Sequence, residues 1–248
     1  DDGALAAVAA VLASVAPVRG SREGMDYLRA RGLDGTEAEG WYALPTGAAR
    51  DRIVDACVEA MGREAWMRSG LASESGWWSG SWPGLRLVIP WRSPDGEVDC
   101  LQGRYIGADA KVNRFAFPGG RSPRWPYGSD ALSEVGHDTA VALTEGAIDA
   151  ASFNALARRA GADVVALALP SVTAWDARWF RVLAGRPLIS ALDNDEAGRK
   201  HTPGMVERLR AVARRGAVPV RVPRGPEGAK DWNDVLRARA AAAKIEAA

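Results

Sequence analysis

Three short acidic segments in the second half of the sequence have the residue types that bind a hard divalent cation: Glu145-Gly146 with Asp149, Asp193-Asn194-Asp195-Glu196, and Lys230-Asp231-Trp232-Asn233-Asp234. Magnesium prefers oxygen ligands, and a bound ion would hold gathered carboxylates ionised and attract substrate phosphates. Strand periodicity of two places Asp193 and Asp195 on one side of an extended backbone, so both carboxylates are expected to converge on one cation. Helix capping is the competing reading. Asp195 has the type of an N-cap residue, and Glu196 suits a first helical turn, where the dipole favours negative charge. One acid at a strand end is ordinary in an α/β domain; three such segments, one spaced Asp-x-Asp, exceed what capping requires.

These acids can meet only if each follows a parallel strand. The apolar and polar pattern alternates accordingly: strand 139–144, helix 147–159, strand 163–169, helix 175–184, strand 187–192, a helical stretch to Arg215, strand 218–222 and helix 232–243. Such alternation predicts a parallel sheet flanked by helices, and right-handed crossovers put every strand's C-terminal end on one edge. Gly146 permits the tight turn after the first strand, and Asp149 projects from the first helical turn. Pro203 is expected to interrupt the third helix, with Thr202 as N-cap restarting it. Arg199, Lys200, Arg208, Arg210, Arg214 and Arg215 either follow a phosphate backbone or form a solvated helix face.

The first half differs. Helices are predicted over 4–15, 22–31 and 52–67, with Gly32 closing the second and Arg31 favourably placed against that helix's dipole. Strands 85–90 and 98–105 flank the turn Pro94-Asp95-Gly96-Glu97 and form a hairpin. Trp77, Trp78, Trp82 and Trp91 crowd around it, and Arg86, Arg92, Arg104, Lys111 and Arg114 recur among the aromatics. Single-strand grooves use that mixture, though tryptophans beside a hairpin also serve as core. The proline-rich loop 119–129 is expected to cross between two units, and a boundary near Ser133 gives domains 1–132 and 133–248.

With 47% apolar residues, a chain of 248 can build a real core. The net charge of +1 neither requires nor excludes nucleic acid. Cys57 and Cys100 have neither zinc-ligand spacing nor a disulfide framework, and His137 and His201 stand apart from them. No apolar run would span a bilayer and no basic segment precedes the Ala-rich start, so a cytoplasmic protein without membrane association is expected. The start at Asp1, without methionine, suggests a piece of something longer.

Thr144-Glu145-Gly146-Ala147-Ile148-Asp149, Leu192-Asp193-Asn194-Asp195-Glu196-Ala197-Gly198 and Lys230-Asp231-Trp232-Asn233-Asp234-Val235-Leu236 resemble the successive motifs of a TOPRIM domain. Tyr27-Leu28-Arg29-Ala30-Arg31-Gly32-Leu33, Arg86-Leu87-Val88-Ile89-Pro90 with Gly96, and Gln102-Gly103-Arg104 are similar to the subdomain that precedes TOPRIM in DnaG-type primases. The resemblance implies an α/β fold, with a C-terminal TOPRIM-like parallel sheet behind a smaller α+β primase-type subdomain. A basic residue follows the Gly-Arg in that family. Arg114-Phe115 before Pro118 fits it, and Lys111 is the competing alignment. Asn233 stands where cellular primases usually have a second Asp, which resembles primases of phages and mobile elements and removes one charge from the possible metal set.

The implied activity is template-directed RNA primer synthesis on single-stranded DNA, with two metals activating the 3′ hydroxyl and stabilising the leaving pyrophosphate. Asp193, Asp195 and Asp231 are the expected Mg2+ or Mn2+ ligands, supported by Asp149, with Glu145 a general base or a further ligand. Arg31, Arg104, Lys111 or Arg114, and Lys230 are expected to hold template or nucleotide phosphates. The alternative for Lys230 is a surface ion pair with Asp231 or Asp234. NTPs, a single-stranded DNA template and a replicative helicase or fused helicase domain are the implied partners. Primer initiation in this family draws on a zinc-binding module that these residues do not include. The alternatives are a TOPRIM-type metal-dependent nuclease and a non-catalytic module that binds single-stranded DNA and recruits a helicase.

Overall fold

A computed structural model describes residues 3–107, 114–213, 220–221 and 228–246. They fall into two compact units: Asp1–Arg29, Asp34–Ser93 and Glu97–Arg124 form the first, and Ala30–Leu33, Pro94–Gly96 and Trp125–Ala248 the second.

In the first unit, helix α1 (Gly3–Val15) buries Leu5, Val8 and Leu12, whose spacing lines one helical face. Helix α2 (Arg22–Ala30) is followed by Gly32 at φ +76°, in the left-handed region. The expected helix over 52–67 is instead two: α3 (Ala48–Met61) and α4 (Arg63–Arg68). Gly62 separates them at φ 82°, ψ 151°, which no helix accommodates.

Strands β1 (Tyr42–Ala43), β2 (Leu87–Arg92), β3 (Val98–Arg104) and β4 (Phe115–Ala116) form an antiparallel sheet in that order. The hairpin joins β2 to β3, with a bulge between Trp91 and Arg92. Most of the tryptophans prove to be core. Trp66 meets Trp78 edge-on at 5.4 Å, Trp78 stacks on Trp82 at 6.0 Å, and Trp91 is buried, whereas Trp77 is half-exposed. Arg50 is buried beneath them, donating to the carbonyl oxygens of Trp82, Pro83 and Leu85, with its guanidinium 5.3 Å from the Trp78 ring centre. Burial pushes the thiols of Cys57 and Cys100 up to about 12, so both behave as core apolar groups.

The second unit contains strands β5 (Ala140–Thr144), β6 (Val164–Ala168), β7 (Leu188–Ser190) and β8 (Val220–Arg221) in the order β6-β5-β7-β8. Every pairing is parallel. The chain passes from β5 to β6 on one side and returns to β7 on the other, so the order reverses between β5 and β7. Open α/β sheets bind ligands at the carboxyl ends of strands flanking such a reversal.

Helices α5 (Ala147–Arg159) and α8 (Trp232–Glu246) pack together. Opposing them in sequence order are α6 (Phe180–Leu183) and α7 (Glu196–Ala213), which share an apolar cluster with Val141, Leu143, Leu167 and Leu188. The expected helix over 175–184 shrinks to α6 and a short 3-10 turn, Ala177–Trp179, whose start Asp176 caps by accepting from the Arg178 N–H. Nor does Pro203 break α7. The Thr202 hydroxyl donates to the Gly198 carbonyl at 2.7 Å instead of capping a new helix, and α7 continues through the proline.

Candidate active site

Glu145 lies directly after β5 and Asp149 in the first turn of α5. The strand before the second acidic segment ends at Ser190, so Asp193 and Asp195 occupy a turn rather than one face of a strand, correcting the expectation from period two. The two carboxyl groups consequently have different surroundings. Asp195 accepts from the Gly198 N–H at 2.9 Å as the N-cap of α7, and its other oxygen lies 3.3 Å from Lys230 Nζ. The Gly198 N–H first and then Lys230 hold its carboxyl below the usual range.

Asp193 is pushed the other way, to about 8, chiefly by burial and then by Asp149, Glu145, Asp231 and Asp195. Its Oδ1 is buried and has no hydrogen-bond partner among the described residues. Its backbone N–H donates to Glu145 Oε1 at 3.1 Å. Burial raises the Glu145 carboxyl and Asp195 adds to the rise, against lowering by the Asp193 N–H, Lys230 and His201.

The third segment joins the second through backbone groups. Asn194 N–H donates to the Lys230 carbonyl at 2.7 Å, and Trp232 Nε1 donates to the Ala191 carbonyl at 2.7 Å. Asp231 accepts from the Asp234 N–H at 2.8 Å, capping α8 as Asp195 caps α7. The ion pair of Lys230 is with Asp195, rather than with either neighbouring acid of its own segment. The hydrogen bond to Asp195 comes first in holding the Lys230 ammonium above its ordinary range.

Asn233 is 1% exposed and its amide is committed elsewhere. Nδ2 donates to the Arg31 carbonyl at 2.8 Å and to Ser152 Oγ at 3.0 Å, while Oδ1 accepts from an Arg31 guanidinium nitrogen at 3.1 Å. Arg104 and Arg114 belong to the first unit, where Arg104 Nε donates to Tyr27 Oη at 3.3 Å and Arg114 is exposed. Lys111, Arg214 and Arg215 lie outside the described residues.

Two participants were not singled out from the sequence. His201 is close enough to Glu145 to lower its carboxyl, and the three-residue spacing of Asp195, Gly198 and His201 along α7 was the readable signal. Gly198 itself is required by close approach. A Cβ there would overlap the Asp193 carbonyl and sit 2.9 Å from Glu145 Oε1.

Among the described residues, no three His, Cys, Asp or Glu side chains stand close enough as placed to hold one metal ion. The chemistry of the edge still fits a hard cation. Every donor is a carboxylate oxygen, neighbouring carboxylates add to the rise that burial imposes on Asp193 and Glu145, and Asp193 offers a buried oxygen with no hydrogen-bond partner among the described residues.

Residues 142–236 match the family model described as Toprim-like. Among solved structures, the chain aligns with the zinc-binding and RNA polymerase domains of the Aquifex aeolicus primase at TM-score 0.69 and 22% identity, over 97% of this chain and 59% of that one. It aligns with the RNA polymerase domain of Mycobacterium tuberculosis primase DnaG at TM-score 0.68 and 23% identity, over 98% and 81%. A third, a DnaG primase catalytic domain bound to single-stranded DNA, gives TM-score 0.67 and 19% identity, over 99% and 80%. The chain thus has the mixed α/β fold of primase catalytic domains, with a Toprim-like second half. It spans 59% of the Aquifex chain. No match was found among curated proteins. No helix among the described residues is long and apolar enough to cross a membrane.

Proposed function

We propose that this chain is the catalytic core of a DNA primase, a nucleotidyltransferase that joins ribonucleotides on a single-stranded DNA template. The observation that carries the reading is Asp193: it is largely buried at the switch point of the sheet with four other carboxylates close by, and burial first, then those carboxylates, push its carboxyl up to about 8. A chain gains no stability from such crowding. A cation-dependent phosphate site does use it, and the likeness to primase catalytic domains, one bound to single-stranded DNA, supports that use here.

In this reading Asp193, Asp195, Asp231 and Glu145 hold Mg2+ or Mn2+, with Asp149 behind them. When bound, the divalent cation supplies Lewis-acid activation of the 3′ hydroxyl and neutralises charge on the triphosphate. Glu145 fixes the Asp193 turn through its N–H and, from its other oxygen, can accept the hydroxyl proton. Asp195 stays ionised through its helix cap and Lys230, and Lys230 offers its charge to a phosphate oxygen at the rim. Arg31, Arg104 and Arg114, with Lys111 in the same set, hold the triphosphate or template backbone without reading bases. Residues 1–132 guide template and nucleotide, and 133–248 carry the chemistry. NTPs and single-stranded DNA are the substrates, and a replicative helicase or fused helicase domain supplies the template in the cytoplasm.

The test is primer synthesis on mixed-sequence single-stranded templates with labelled NTPs, comparing wild type with Asp193→Asn combined with Asp195→Asn. Product from wild type and none from the folded double variant supports the reading. No product from folded wild type, or cleavage of labelled DNA in its place, overturns it.

A further inference from the structure

We infer that His201 is a nitrogen ligand of the cation at the acidic edge, and that it makes the site hold first-row transition-metal ions more tightly than Mg2+. The inference rests on the cation reading above and names the class of ion that this site holds best.

The first two acidic segments meet helix α7 at Gly198. A Cβ on that glycine would stand 2.9 Å from Glu145 Oε1 and 2.0 Å from the Asp193 carbonyl oxygen. His201 follows three residues later in the same helix, on nearly the same face. Helical Cα–Cβ bonds tilt toward the N-terminus, so a side chain covers the turn before its own Cα. For His201 that turn is the one at Gly198, where the missing side chain leaves the way to Glu145 open. The electrostatics agree with this placing, since His201 acts to lower the Glu145 carboxyl.

A partly buried histidine is ordinarily held by a hydrogen bond to a carbonyl or a carboxylate. His201 is partly buried, yet neither ring nitrogen has a hydrogen-bond partner among the described residues. It therefore combines two properties of a ligand, an uncommitted nitrogen and a place beside a carboxylate of the site. Glu145 and His201 alone are two donors, fewer than a bound ion needs. Asp193 adds a third: its N–H holds Glu145 Oε1 at 3.1 Å, and its buried Oδ1 is likewise without a hydrogen-bond partner among the described residues.

A nitrogen added to a set of carboxylate oxygens changes which ion the set prefers. Mg2+ favours oxygen donors and keeps several waters, so an imidazole adds little to its binding. For a mixed nitrogen and oxygen site, affinity instead rises along the first transition row from Mn2+ to Co2+ and beyond.

The test is pulsed electron paramagnetic resonance of the full chain carrying less than one equivalent of Mn2+, grown with ordinary or isotope-labelled histidine. His137 and His201 are the two histidines of the chain, so a histidine nitrogen on the ion belongs to one of them. A directly bound imidazole nitrogen is expected in wild type and in His137→Gln, changing its pattern with the label, and is expected to vanish in His201→Ala. In titration calorimetry, His201→Ala is expected to weaken Co2+ about tenfold or more, the loss that removing even an outer partner of a ligand produces, and Mg2+ far less. Bound Mn2+ without a histidine nitrogen, or a nitrogen that disappears in His137→Gln, overturns the assignment and leaves the cation reading standing. Equal losses of Co2+ and Mg2+ in folded His201→Ala overturn it as well. Should His201→Ala fail to fold, the labelled wild type and His137→Gln decide between these outcomes. Wild type that binds none of the three ions overturns both readings.

Discussion

The Asp193 N–H donates to Glu145 Oε1 at 3.1 Å, so a residue that follows β5 fixes the backbone of one that follows β7. The bond joins the two sides of the strand reversal and separates two roles of one carboxylate. Glu145→Gln keeps an oxygen that can accept the N–H but loses the charge; Glu145→Ala loses both. The alanine variant is expected to be less stable in urea by about 1–3 kcal/mol, the glutamine variant near wild type. Both are expected to lose primer synthesis by about 100-fold or more. Equal stability for the two variants would show that the hydrogen bond does not hold the turn.

Gly198 leaves no room for a side chain between the Asp193 carbonyl and Glu145. Gly198→Ala must displace backbone, at a cost of about 1–3 kcal/mol or more, despite alanine's better helix propensity. Thermal unfolding should show a lower midpoint, and isothermal titration with Mn2+ weaker binding. A midpoint at or above that of wild type would contradict the crowding.

Asp193 gives a pH dependence whose sign follows from its raised value of about 8. Unfolded, the group loses its proton near pH 4. Below that pH both states are protonated and the site costs nothing; between about 4 and 8 the folded carboxyl keeps a proton that the unfolded chain releases, so stability falls as pH rises. In chelator, wild type should therefore lose stability relative to Asp193→Asn from pH 5 to pH 8. Added magnesium should raise the wild-type midpoint and leave that of Asp193→Asn unmoved. Melting curves in both buffers read each sign directly, and a wild type that gains on the variant with rising pH would refute the assignment.

Asn233→Asp tests the buried amide. The carboxylate would find the Arg31 guanidinium but could donate to neither the Arg31 carbonyl nor Ser152 Oγ, both now served by Nδ2. A loss of about 1–3 kcal/mol in urea denaturation is expected, without tighter Mn2+ binding by titration calorimetry. Tighter binding would return this position to the metal set.

The residues of the acidic edge were readable because strand ends, N-cap types and glycine turns are written locally: Glu145, Asp149, Asp193, Asp195 and Asp231 gather where the alternating pattern implied. Their individual states were not, because these depend on groups distant in sequence. Whether Lys230 pairs with Asp195 or with its own neighbours depends on how two loops dock. The role of Asn233 depends on Arg31, 202 positions away. Arg50 drew no attention in sequence, since only the fold reveals three carbonyl oxygens pointing at it from one loop. The misplaced helix boundaries have local causes of similar subtlety: Gly62 leaves helical space, while the Thr202 hydroxyl bonds back to the Gly198 carbonyl within a continuous α7 instead of capping a new helix.

The bonds from Asn194 to the Lys230 carbonyl and from Trp232 to the Ala191 carbonyl involve no acidic side chain. These bonds tie the acidic loops to each other through groups other than the carboxylates, so on the proposed reading their docking does not depend on the ion, unlike that of small zinc modules whose chain collapses around its metal. On the proposed reading, loading and emptying the site is expected to need ion dehydration and side-chain rotation but no refolding. A chelating agent should switch it off and excess magnesium switch it on again, many times over, with the chain folded throughout.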